Sequence, residues 1–98
     1  MLVSIDGPVF HGQGDEDHFF AWLGELPSFE SVVGVGTMLN ISIREPVDDE
    51  TTLGLIVLCD RWRIRMAPLR CLRTRENEAW FASPQRWFHN QLWGDHHG

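Results

Sequence analysis

VDDETTLGLIVLCDRW, residues 47–62, decides what this chain folds into, because the same sixteen letters can be read as strand or as helix. Thr51, Thr52, Ile56 and Val57 suit a strand, while Gly54 favours neither state. The ends break the tie. Asp48 or Asp49 can cap a helix, the carboxylates that follow fall where free backbone N–H groups favour negative charge, and Arg61 falls near the opposite end, where carbonyls favour a cation. Leu55, Leu58, Cys59 and Trp62 recur at helical spacing. The segment is therefore read as one amphipathic helix.

Upstream the period changes. Leu39, Ile41 and Ile43 alternate with Met38, Asn40, Ser42 and Arg44, and before them Ser31, Val33 and Val35 alternate with smaller or polar neighbours. With Gly36-Thr37 between the two runs and Glu45-Pro46 after them, this is a strand, a tight turn and a second strand. Gly34-Val35-Gly36 is not a phosphate loop, because no third glycine follows and a dinucleotide fold needs a helix where this chain keeps period two.

Further back, GDEDHFFAWLGELP, residues 14–27, has the look of a metal site or an acid/base pair. A helix start explains it equally well. Asp15 is placed as the N-cap, Glu16 and Asp17 fall in the first turn, and Phe19, Trp22, Leu23 and Leu26 follow on one face of a 3.6-residue period until Pro27 ends it. Leu2, Val3 and Ile5 form a short opening strand that stops at the Asp6-Gly7-Pro8 turn. Beyond residue 62, Pro68 opens a helical turn through Leu69 and Leu72, and residues 76–94 read as one or two short aromatic-rich helices. The order β-α-β-β-α places the chain in the α+β class: a small antiparallel sheet with helices on one face and short C-terminal helices, forming a single domain over residues 1–98.

That order has an electrostatic consequence. Residues 1–60 hold eleven carboxylates and one arginine, and residues 61–98 hold seven arginines and three carboxylates, for a net charge of -6. There is no lysine and no tyrosine. The two long helices are antiparallel neighbours in this topology, so Asp15, Glu16 and Asp17 share one end with Arg61, Arg63 and Arg65, where opposite charges are expected to face each other. At the other end Glu25, Glu30, Glu45, Asp48, Asp49 and Glu50 gather, with Arg44 alone against them. This cluster is either a solvated acidic face or the docking site for a basic partner.

Other chemistries find less support. Asp17-His18 lacks the further ligands of an HxxxH or HExxH set, and His89, His96 and His97 read as surface or tail residues. No GxSxG turn places a serine nucleophile. Cys59 lies on the apolar face of its helix, Cys71 has Arg70 and Arg73 nearby but no base, and no CxxC pairs them. No catalytic, metal or cofactor site is expected. No apolar run is long enough to span a membrane, and MLVSIDGPVF lacks the basic start and cleavage site of a signal peptide, so a cytosolic protein is expected. Overall acidity opposes general nucleic-acid binding. The alternative is a nucleic-acid-binding or regulatory module using RWRIRMAPLRCLRTR, residues 61–75, with arginines on phosphates and Trp62 stacked on a base. The plainer reading buries Trp62, Ile64, Met66, Leu69 and Leu72 and leaves the arginines wet. Trp80, Phe81, Trp87, Phe88 and Trp93 likewise cap the core, unless two of them are exposed together as a protein-binding hot spot.

The pieces DEDHFFAWL, LP, VVGVG, DDE followed by LIVLCDRW, IRM..L, AWF and W.H..LWG span nearly the whole chain and together resemble small bacterial immunity proteins of polymorphic-toxin and contact-dependent-inhibition systems. The likeness is one of pattern and spacing. Thr52 and Gly54 depart from the more helix-favouring second segment usual in that group. The resemblance implies a cytoplasmic protein that neutralises a cognate toxin by covering its active site, with no catalytic residues. It supplies a role and no contact residues.

Overall fold

A computed structural model describes residues 1–94. The element order is β1 (Leu2–Asp6), α1 (Gln13–Gly24), β2 (Phe29–Val35), β3 (Met38–Ile43), α2 (Asp49–Arg61), a 3-10 helix (Ala67–Leu72), α3 (Glu78–Phe81) and α4 (His89–Trp93). The three strands form one antiparallel sheet in the order β1-β3-β2. The α+β class and the one-sided helix layer expected from the sequence are both present.

Residues 49–61 are helical for the reasons visible at their ends. Asp48 is the N-cap and accepts the Thr51 N–H, Asp49 and Glu50 occupy the first turn, and Arg61 occupies the last. Gly54 has a packing cause: a Cβ placed there would lie 2.3 Å from Leu26 Cδ2, so the side chain that follows α1 rests directly on the backbone of α2. The helix ends in a Schellman arrangement, with Arg63 N–H donating to Asp60 O and Ile64 N–H to Cys59 O. Arg63 takes the left-handed position that glycine usually fills there, at φ 55°.

α1 starts earlier than the sequence suggests. Its N-cap is Gly12, and Asp15 and Glu16 are first-turn residues. Asp15 is not the cap because its carboxylate is turned elsewhere, as described below. β2 also differs from expectation in phase. A bulge between Phe29 and Ser31 shifts the register by one residue, pairing Val32 with Ile41, Val33 with Asn40 and Val35 with Met38. Since side chains alternate across the sheet, Val32 and Gly34 face inward, and Ser31, Val33 and Val35 face out. Val33 and Val35 are 58% and 56% exposed.

The core lies between the inner sheet face and the helices. Val3, Ile5, Ile41 and Ile43 from the sheet meet Phe19 and Leu23 of α1, Leu55, Ile56, Leu58 and Cys59 of α2, and Ile64, Met66, Leu69 and Leu72 from the segment beyond. Phe81, Phe88 and Leu92 close one side. Each fully buried Leu, Ile or Phe contributes about 1.5–3 kcal/mol, against about 0–1 kcal/mol for an exposed ion pair. Packing therefore holds the fold, and the surface charge is not needed for it. No helix among the described residues is long and apolar enough to cross a membrane.

Candidate functional site

The acidic pole is assembled by a polar clasp joining three segments. α1 ends at Gly24, and past Pro27 the chain turns Ser28 inward, where its N–H donates to Thr51 Oγ1 at 3.0 Å and its hydroxyl to Asp48 Oδ1 at 2.6 Å. Arg44, just past β3, donates its N–H to Ser28 O at 2.7 Å and its Nη2 to Pro27 O at 2.8 Å. The loop from β3 to α2 carries a cis Glu45–Pro46 bond. The clasp brings the end of α1, the start of β2 and the start of α2 together, so Glu25, Glu30, Glu45, Asp48, Asp49 and Glu50 share one end of the molecule.

These six carboxylates are not equivalent. Asp48 is half-buried and its oxygens accept from Ser28 Oγ, Thr51 Oγ1 and Thr51 N–H. Partial burial alone would raise its pKa, but the hydroxyl of Ser28, the hydroxyl and amide of Thr51 and its own amide together hold it below the ordinary value of 3.8. Asp48 is thus a structural charge. Glu25, Glu30, Glu45, Asp49 and Glu50 are exposed. Among the described residues the one ion pair is Arg73–Glu78, so these five form no ion pair with a described side chain.

The opposite pole is not the set of ion pairs that charge proximity suggests. Asp15 Oδ1 accepts from Trp62 Nε1 at 3.0 Å and Oδ2 from His11 N–H at 3.2 Å, and Asp17 accepts from Gln13 at 3.0 Å. The Arg61 guanidinium lies 5.5 Å from the Trp22 ring and 5.6 Å from the Trp62 ring. A half-buried indole N–H needs a partner, and the carboxylate at the start of α1 is the acceptor within reach. The arginine is left to stack on the rings. Trp62 also meets Phe19 and Trp22 edge-on, at 5.1 and 6.3 Å. It is a packed residue, with Ile64, Met66, Leu69 and Leu72 buried beyond it and Arg61, Arg63, Arg65, Arg73 and Arg75 in solvent.

Open depressions adjoin this pole. One of about 360 Å³ is lined by Val9, His11, Asp15, Arg61, Trp62 and Arg63. Another, of about 440 Å³, runs between Cys59, Asp60, Arg63, Arg65 and Gln91. In both, carboxylates stand among the arginines, so neither is a uniformly basic channel. Burial pushes the Cys59 thiol up to about 12 and also raises Cys71, the reverse of what an activated thiolate needs. No group of three or more His, Cys, Asp or Glu among the described residues is arranged to hold a metal ion. Among the C-terminal aromatics, Phe81 and Phe88 are buried, Trp80 and Trp93 are half-buried and Trp87 is 57% exposed. His96 and His97 lie outside the described residues. Compared with known proteins, the chain matches no family model, no curated protein sequence and no solved structure.

Proposed function

We propose that this protein is a non-catalytic binding module, an immunity protein that acts in the cytoplasm and neutralises a cognate bacterial toxin by covering a basic active-site surface with its acidic pole. The observation that supports the reading is the clasp: Ser28, Asp48 and Thr51 tie together the segments that carry five solvent-facing carboxylates, none of which forms an ion pair among the described residues. A surface fixed in advance by buried hydrogen bonds loses little conformational freedom on docking, and clustered like charge steers a basic partner. The resemblance in pattern to immunity proteins supplies the biological role.

The use of residues 61–75 as a nucleic-acid surface has weaker support, since Trp62 has its N–H on Asp15 and its ring against Phe19, Trp22 and Arg61. A gel shift with single-stranded RNA that disappears on Arg61, Arg63 and Arg65 substitution would revive it.

The direct test begins with the neighbouring open reading frame and a toxin domain encoded there. Glu45→Lys, Asp49→Lys and Glu50→Lys together reverse charge without touching the clasp. Association with that domain should slow by about tenfold or more at low salt, with the difference shrinking as salt rises. Unchanged association kinetics would remove this pole as the docking surface.

A further inference from the structure

Along β2 the sheet has an edge whose outward backbone groups have no hydrogen-bond partner among the described residues. Met1 and Ile43 exchange N–H and C=O bonds, at 3.0 Å and 2.9 Å, and Gly7 N–H donates to Thr37 O at 2.7 Å. In an antiparallel ladder these closely bonded pairs alternate along the strand, so β3 turns the backbone groups of residues 39, 41 and 43 toward β1. Its residues 38, 40 and 42 must then serve β2, where their partners are Val35, Val33 and Ser31. The N–H and C=O of Val32 and Gly34 consequently point away from the sheet. β1, the other edge, carries a carboxylate at Asp6 and is followed by Pro8, guards of the kind that discourage further pairing.

β2 also lacks the features that usually guard an edge. Residues 31–37, SVVGVGT, hold no charge and no proline, whereas edges are commonly protected by lysine, proline or an inward charge. The bulge at Glu30 blunts only the end nearest the acidic pole. The strand complements itself. Paired antiparallel with a second copy about a two-fold axis at Val33, each Val32 falls opposite the other copy's Gly34 on the inner face. A Cβ at Gly34 would meet only Leu39 Cδ2, at 3.9 Å, so space is present there for the facing valine. On the outer face the two Val33 side chains meet on the axis, with Val35 beside Ser31 on either flank. Antiparallel pairing also sends the two acidic poles to opposite ends, and each Glu30 comes to lie near the uncharged Gly36-Thr37 turn of the other copy.

We infer that two copies of this chain join β2 to β2 into a continuous six-stranded sheet, leaving Glu25, Glu45, Asp49 and Glu50 of both acidic poles free. Backbone pairing over five residues with a small apolar strip is a modest interface, so the association is concentration-dependent. Sedimentation velocity from about 5 to about 500 µM should show a shift from the 11.3 kDa monomer toward twice that mass. Val33→Lys, on an exposed side chain, should leave the circular dichroism spectrum and melting unchanged and weaken self-association by about tenfold or more by placing two cations on the axis. In a Cys71→Ser background, Val33→Cys should oxidise to a covalent dimer while Ser31→Cys does not, because residue 33 faces itself and residue 31 faces residue 35. A sedimentation coefficient that stays monomeric throughout, or a dimer indifferent to Val33→Lys, would overturn the inference. A lysine-sensitive dimer that cross-links through residue 31 and not 33 would overturn the axis.

Discussion

The Ser28 hydroxyl donates to the Asp48 carboxylate at 2.6 Å across twenty residues of sequence, tying the start of β2 to the N-cap of α2. Asp48 is charged in the folded state at a lower pH than in the unfolded chain. Its stabilising contribution is therefore fully present above the ordinary value of 3.8 and is lost as pH falls through that value toward the lowered one. Asp48→Ala should cost about 1–2 kcal/mol at neutral pH, as removal of a well-bonded cap does. Asp48→Asn should flatten the acid limb of the stability curve. Urea midpoints measured between neutral pH and pH 3 would check both, and an unaltered acid limb in Asp48→Asn would refute the assignment.

Gly54 and Leu26 form a second test, in which propensity and packing oppose each other. Alanine is a better helix former than glycine by about 1 kcal/mol, yet a Cβ at position 54 meets Leu26 Cδ2 at 2.3 Å, and overpacking costs about 1–3 kcal/mol. Leu26 Cδ2 is the end of a half-buried side chain that must turn aside, so Gly54→Ala should gain little in the natural chain and about 1 kcal/mol in a Leu26→Ala background. A gain that appears only when Leu26 is shortened is the result to look for.

Arg63 occupies a left-handed conformation at φ 55°, where a side chain costs about 1 kcal/mol relative to glycine. Since Arg63 is exposed and makes no ion pair among the described residues, Arg63→Gly should stabilise the protein by about 0.5–1 kcal/mol, after allowance for the greater freedom of unfolded glycine. Arg63→Ala removes the same charge and keeps the strained backbone, so its thermal midpoint should stay near that of the parent. Equal gains from both variants would trace the effect to charge.

The two thiols should separate by reactivity. Cys71 is exposed, with its Sγ donating to Pro68 O at 3.2 Å, while Cys59 is buried and its pKa is pushed up to about 12. A thiol reagent at mildly alkaline pH should label one cysteine of the native protein readily and the second only at the rate of unfolding. Because the Cys59 pKa is raised on folding, its neutral form contributes stability below the ordinary thiol value of 9.0, and that contribution is lost as pH climbs toward 12. Cys59→Ala should lessen the alkaline decline.

Much of the fold was legible because α2 announces itself at its ends. Asp48 caps it and Arg61 closes it, and these outweigh Thr51, Thr52 and Gly54 inside it. The expectation that the six acids share one end rests on topology once that helix is assigned. The phase of β2 was not legible, because Val32, Val33 and Val35 make either face of SVVGV look apolar, and the bulge that chooses between them arises from pairing with β3. The partner of Asp15 was equally hidden. Charge counting brings Arg61 close, but the half-buried Trp62 N–H needs an acceptor, and that need depends on tertiary packing. The roles of Asp48 as an internal charge and of Glu25, Glu30, Glu45, Asp49 and Glu50 as external ones separate only when Ser28 and Thr51 are seen around the former.

The unequal flanks of the sheet set a limit on growth. With Asp6 and Pro8 guarding β1, continued hydrogen bonding is favoured on the β2 side alone, and using that side leaves no unguarded one to carry the pattern onward. Edge pairing of this kind terminates at a closed pair, so concentrated solutions should stay clear and free of fibrils.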